Sequence, residues 1–219
     1  MPTLFITGAA GGLGLEFVRQ YREAGWTIIA PARADMDVTD RASIDAYVAK
    51  LGDVAVDVLI NNAGMRDATP QASRLGAFTA EGWMPTLATN VIGPALVTQA
   101  VLPLLRRGAQ KKIVLLSSRL GSLASGGGGN SGGGASSYYA YRVSKTAVNQ
   151  LGRCLAIDLG PEGFVCALLD PGWVRTPMGG AQAALAPEES VAKMRKLIAG
   201  FEASDNGRFI SLDGATVAW

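Results

Sequence analysis

The sequence predicts a single-domain, doubly wound α/β fold built around a parallel sheet. Three observations carry this. Short runs rich in Val, Ile and Leu recur at residues 3–7, 27–30, 56–61, 112–117, 164–170 and 208–211, apolar throughout, as strands buried on both faces are. Segments with helical periodicity alternate with them at 13–24, 43–51, 83–105, 141–160 and 187–201, and that alternation puts helices on both faces of one sheet. The chain of 219 residues, 48% hydrophobic and 17% charged, suits one well-buried domain, and no second set of strands or internal repeat divides it.

Composition excludes several function classes. The 20 Lys and Arg against 18 Asp and Glu are scattered without a basic run, which argues against nucleic acid or an anionic membrane as partner. No uninterrupted apolar run reaches the length of about eighteen residues that marks a membrane span, and no basic, cleavable leader pattern precedes the first strand. Cys154 and Cys166 fall in apolar runs without metal-ligand spacing, so both are expected reduced and buried, which points to a cytoplasmic setting. There is no histidine. Ser-His-Asp and Cys-His catalysis are therefore excluded, no metal is expected, and acid–base work falls to Tyr, Lys, Asp or Glu.

The first strand delivers Thr7 into a turn with glycines at 8, 11, 12 and 14, and a helix follows at once. Glycine permits positive φ and close backbone approach, while the new helix offers unpaired N–H groups and a positive dipole end. A pyrophosphate fits that description, so Thr7, Gly8, Gly11, Gly12, Leu13 and Gly14 are read as dinucleotide-binding. After the second strand comes "PARADMDV". No carboxylate sits at the strand tip, and Arg33 just past it suits the 2′-phosphate of NADP(H), which is favoured over NAD(H). Asp37 and Val38 are the expected adenine contacts. Only about six residues separate Ala30 from Asp37, where a parallel crossover needs about ten to twelve. The helix after the second strand is therefore expected to be missing and the sheet thinner at that edge. With Asp37 and Val38 taken as the next strand position, 56–61 is the fourth strand.

That strand ends in Asn61-Asn62-Ala63-Gly64, at the carboxyl edge where ligands bind in open α/β sheets, and these residues are expected both to meet ligand and to tie adjacent strands. The long apolar helix at 83–105 contains Asn90, whose side chain competes for backbone hydrogen bonds, as a buried or kinked functional position would explain. The strand at 112–117 leads to Ser117 and Ser118, where a hydroxyl can donate to a carbonyl oxygen. A glycine-rich loop at 122–139 then separates Ser118 from the next helix. Ordering so much glycine costs chain entropy, so its stretch at 125–135 is expected to be mobile without ligand. In "SSYYAYRVSK" only Tyr141 has a lysine four residues on, Lys145, which places both on one helix face. An ammonium held near a phenol stabilises the phenolate and lowers its pKa.

Thr7-Gly8-x-x-x-Gly12-x-Gly14, Asn61-Asn62-Ala63-Gly64, Asn90, Ser118, Tyr141-x-x-x-Lys145 and "DPGWVRTPMGG" at 170–180 occur in that order along one sheet pattern. The set resembles the short-chain dehydrogenase/reductase family over essentially the whole chain. Within it, the wording is most similar to the branch of C-factor-like proteins and sniffer-type carbonyl reductases. The resemblance implies a Rossmann-like domain with Tyr141 as general acid/base and Lys145 lowering its pKa and holding the nicotinamide ribose. It implies Ser118 orienting the substrate carbonyl and Asn90 holding a water behind Lys145. Asn62, Ala63, Gly64, Pro171, Gly172, Val174 and Thr176 would contact the dinucleotide. A homo-oligomer, dimer or tetramer, built on the helices of Asn90 and Tyr141 is also implied. Ser118 and Tyr141 stand 23 residues apart, further than is usual in the family, the excess being the glycine-rich loop. The expected activity is reduction of a ketone or aldehyde, or oxidation of the matching alcohol. Segments 65–83, 122–139 and 178–189, the last within a substrate-side stretch at 176–200, lack strong polar anchors, so the substrate is expected to be apolar. A dinucleotide-binding sensor or signalling protein of the C-factor type is the alternative.

Overall fold

The computed structural model describes residues 1–66, 75–125 and 138–219. Its six strands are β1 (Thr3–Ile6), β2 (Thr27–Ile29), β3 (Val58–Asn61), β4 (Lys112–Leu116), β5 (Val165–Leu169) and β6 (Phe209–Ile210). All pair in parallel, in the order β2-β1-β3-β4-β5-β6. The chain steps outward from β1 to β2 and then returns to the other side of β1 as β3, in the register Leu4–Val58, Phe5–Leu59 and Ile6–Ile60. The crevice beyond the carboxyl ends of β1 and β3 is the topological switch point where open α/β sheets bind ligands.

Alternate strand residues feed two separate cores, which is why the strands carry no polar face. Leu4, Ile6 and Ile60 pack with Phe17, Val18 and Tyr21 of α1 (Gly12–Glu23) and with Val191, Met194 and Ile198 of α6 (Pro187–Ala199). Phe5, Leu59 and Ile113 pack on the opposite face with Ile44 of α2 (Arg41–Lys50), with Val97, Val101 and Leu105 of α4 (Gly93–Arg107), and with Val148 of α5 (Tyr139–Leu159). The helix α3 (Ala80–Leu87) joins α4 through a π-helical turn at Ala88–Ile92. By length and composition, 80–107 could cross a membrane, but its apolar stripe of Val97, Val101, Leu104 and Leu105 is buried in the core that covers the sheet.

No helix lies between β2 and Asp37, as the sequence predicts, but Asp37 and Val38 form no strand. The sheet ends at β2, α2 makes the crossover, and the strand counted fourth is the third. The reason lies in local polar competition: the Asp37 N–H donates to Ser43 Oγ at 3.0 Å, and Asp37 Oδ1 accepts from the Thr39 N–H at 2.8 Å. These bonds close turns instead of a ladder. The loop folds inward, burying Met36, and a β-carbon on Gly93 would come within 3.1 Å of the Val38 carbonyl oxygen.

A second correction concerns the cysteines. Cys166 is buried, but Cys154 is exposed on α5, because positions 150, 153, 154 and 157 of that amphipathic helix face away from the sheet. The glycine-rich loop expected at 122–139, and its expected mobility, lie for residues 126–137 outside the described residues, as do residues 67–74 of the 65–83 segment.

Candidate active site

The turn after β1 is fastened to the end of β3. Thr7 Oγ1 accepts from the Asn62 and Ala63 N–H groups at 3.2 and 3.0 Å, and Asn62 Nδ2 donates to the carbonyls of Thr7 and Gly8 at 2.8 and 2.9 Å. Gly8 has φ +68° and lies so close to β3 that a β-carbon would stand 2.7 Å from Ala63 Cα. On Gly14 a β-carbon would stand 2.2 Å from the Gly8 carbonyl oxygen, so that glycine serves the close packing of α1 on the turn. The start of α1 has no side-chain cap and no acidic residue in its first turn. Its N–H groups thus face open space as an anion site.

From this turn extends a cavity of about 520 Å³. Thr7, Gly8, Gly11, Gly12 and Leu13 line one end. Arg33, Asp37 and Val38 line the wall under β2, and Asn62, Ala63 and Gly64 lie at the switch point. Tyr141, Lys145, Pro171 and Thr176 complete it. Arg33 is 86% exposed in its side chain and reaches Asp37 Oδ2 at 3.2 Å. Two hydrogen bonds from Thr39, aided by Arg33, hold the Asp37 carboxyl below its usual range.

Tyr141 lies at the far end, on the first turn of α5, with its ring buried. Its hydroxyl lies near the Ser118 side chain, whose Oγ accepts from the Leu120 N–H at 3.2 Å, which fixes it just past the end of β4. Burial pushes the phenol up to about 12 against the opposing effect of the Ser118 hydroxyl, and the nearby Asp170 carboxylate adds to the rise while Arg66 opposes it. Burial likewise pushes Lys145 down to about 8. Its Nζ lies 5.5 Å from the Tyr141 ring centre and donates to the Leu116 carbonyl at 2.7 Å. The pairing of Tyr141 and Lys145 on one helix face is present, but the expected lowering of the phenol pKa is not: burial raises the phenol, and the ammonium is turned to a backbone oxygen.

Asn90 is buried inside the π-helical turn, a departure from α geometry that recurs at functional positions. Its Oδ1 accepts from the Met65 N–H at 2.8 Å, and its Nδ2 donates to the Met65 carbonyl at 2.8 Å and to Ser144 Oγ at 2.9 Å. Ser144 Oγ in turn donates to the Tyr141 carbonyl at 2.7 Å. One carboxamide thereby ties the strand end after β3 to the helix of Tyr141.

A family model described as enoyl-(acyl carrier protein) reductase matches residues 21–200. The chain belongs to the short-chain dehydrogenase/reductase family. The C-signal protein of Myxococcus xanthus is 44% identical over 164 residues, which cover 75% of this chain and 93% of that one. The carbonyl reductase Sniffer of D. melanogaster superposes with a TM-score of 0.82 at 30% identity, over 100% of both chains. The NADPH-bound carbonyl reductase from chicken fatty liver gives 0.83 at 28% identity, over 100% of this chain and 99% of that one.

Five residues assigned from the sequence of this short-chain dehydrogenase/reductase do not line the cavity: Gly14, Asn90, Ser118, Gly172 and Val174. Ser118 lies near Tyr141, and Asn90 is bonded to the Met65 backbone, so both adjoin residues that line the cavity. Gly172 has φ +74° and packs where a β-carbon would meet Leu185 at 2.7 Å, while Val174 is buried and bridges to Leu185. Asn61 also turns away, donating to Thr98 Oγ1 at 3.0 Å. Met65 and Met178, which open two of the segments expected to select substrate, line the cavity, whereas sequence reasoning missed Met36 and Thr89 as cavity residues and Asp170 as the carboxylate near Tyr141. Of these only Asp170 had a visible signal, a charge at the end of an apolar strand.

Proposed function

We propose that this oxidoreductase reduces the carbonyl group of a small molecule with NADPH, Tyr141 donating the proton. One observation carries the reading: a buried phenol, near a serine hydroxyl and held protonated far above neutral pH, closes a cavity that begins at a glycine turn and an open helix N-terminus. The lining fits a dinucleotide, since Gly8 leaves no space for a β-carbon toward β3 and nothing stands within 4 Å of a β-carbon built on Gly11. The N–H groups at the start of α1 would hold its phosphates, Arg33 its 2′-phosphate, Asp37 and Val38 its adenine, and Lys145 the ribose next to the nicotinamide. When bound, it supplies the hydride.

Ser118 and Tyr141 together would hold the substrate carbonyl oxygen by hydrogen bonds. As negative charge develops there, Tyr141 releases its proton to that oxygen. Lys145, charged at neutral pH, steadies the phenolate left behind. Asn90 keeps Lys145 and Tyr141 in place through Met65 and Ser144. Support also comes from the carbonyl reductases that superpose on the chain, one of them bound to NADPH.

The C-signal relative favours a second reading, a dinucleotide-binding signalling protein with little turnover. Following NADPH and NADH absorbance with a panel of ketones, aldehydes and diketones separates the two. Carbonyl-dependent NADPH consumption supports the reductase. Tight NADPH binding with no consumption by any substrate overturns it in favour of the second reading.

A further inference from the structure

No polar anchor for substrate was expected in segment 65–83, yet the structure places a cation there. Arg66 follows Met65, whose backbone is held on both sides by the Asn90 carboxamide. The same carboxamide fixes the Tyr141 carbonyl through Ser144, so Arg66 springs from a backbone rigidly referenced to the proposed proton donor. Its guanidinium carbon lies 4.6 Å from the ring centre of Tyr138, one turn ahead of Tyr141. Tyr138 has φ +64°, a left-handed conformation that non-glycine residues seldom adopt and that concentrates at functional sites. Beside it, Phe78 stacks edge-on against Tyr139 and Trp83 at centroid distances of 5.0 and 5.3 Å, giving an aromatic wall.

Arg19, Arg106, Arg119 and Arg208 each meet a carboxylate at 2.5–2.8 Å. Among the described residues none pairs with Arg66, although it is half-buried and its charge reaches the Tyr141 hydroxyl. A guanidinium stacked through its face leaves its N–H edge for a planar two-oxygen anion. We propose that Arg66 recognises a carboxylate on the carbonyl substrate, so that the chain acts on oxo acids with an apolar, ring-bearing body. This rests on the reductase reading above.

The test is a ladder of phenyl-bearing oxo acids with one to four carbons between carbonyl and carboxylate, each assayed beside its methyl ester with NADPH. In the wild type, at one or more lengths, kcat/KM for the acid is expected to exceed that for the ester at least tenfold. In Arg66→Gln that acid-to-ester ratio falls to near one through the KM for the acid, and Arg66→Lys restores part of it. A ratio near one at every length in the wild type, or a ratio unchanged in Arg66→Gln, overturns the proposal. Reduction of esters that still depends on Tyr141 then leaves the reductase reading standing. Where none of the ladder is reduced, calorimetric binding of the matching hydroxy acids to the NADPH-loaded protein decides. Binding that Arg66→Gln weakens at least tenfold supports the proposal, and no Arg66-dependent binding overturns it.

Discussion

Tyr141 and Lys145 share a buried corner and respond to burial in opposite directions, each toward its uncharged form. The phenol is held at about 12 and so carries its proton at every working pH, while the ammonium is held at about 8 and begins to lose its charge just above neutrality. We therefore expect kcat/KM for reduction to be flat below pH 8 and to fall above it as Lys145 deprotonates, read from a pH–rate profile. Stability runs the other way. The unfolded chain keeps the Lys145 proton to about 10.5 and the folded chain releases it near 8, so the charged lysine opposes folding below 8 and the penalty fades as pH rises from 8 to 10.5. At about 1.4 kcal/mol per pH unit the penalty at neutrality is roughly 3 kcal/mol. Lys145→Met should accordingly melt higher than the wild type at pH 7 in calorimetry while losing turnover. A lower melting temperature would show that the bond to Leu116 outweighs desolvation.

At the scale of elements, the π-helical turn carries the link between two halves of the site. Asn90→Ala would strand the Met65 N–H and the Met65 carbonyl and remove the donor to Ser144 Oγ, and each buried polar group left unpaired costs about 1–3 kcal/mol. We expect a loss of at least about 2 kcal/mol, a fall of roughly 4–8 °C in melting temperature for a chain of this size, together with reduced turnover. An unchanged melting curve would contradict the linking role. The glycine turn and five helical segments, one of which holds both α3 and α4, were legible in the sequence because a missing β-carbon and a 3.6-residue period are properties of the residues themselves. The π-helical turn was legible only through the oddity of Asn90, since its wider backbone register leaves no side-chain signature. The loop at 30–40 was misread for a related reason: its course follows from side-chain bonds of Asp37 and Ser43 that no apolar pattern announces.

At the scale of the whole molecule, strand order makes the site. Reversal at β1 opens a crevice between β1 and β3 that runs from the helix N-terminus past Arg33 to Tyr141. Which residues would gather there was legible from strand ends, where Asp170 also stands, whereas Arg66 was not, because its importance comes from lying near Tyr141 across elements distant in sequence. Cofactor choice belongs to this scale, since Arg33 lies on the wall under β2, far from the chemistry. A charge-assisted bond is worth about 1.5–3 kcal/mol, so Arg33→Ala is expected to weaken NADPH binding at least tenfold in a calorimetric titration and to leave NADH binding nearly unchanged. Equal weakening of both would remove the basis for an NADP preference.

On the reductase reading, Tyr141 passes a proton to a carbonyl oxygen as hydride arrives from NADPH. The most direct measurement follows NADPH absorbance during carbonyl reduction by the wild type and by Tyr141→Phe, with NADPH affinity measured for both proteins. General acid catalysis is worth about 10²–10⁴-fold. The account predicts a loss of at least about a hundredfold in turnover with NADPH binding retained, and equal rates in the two proteins would contradict it.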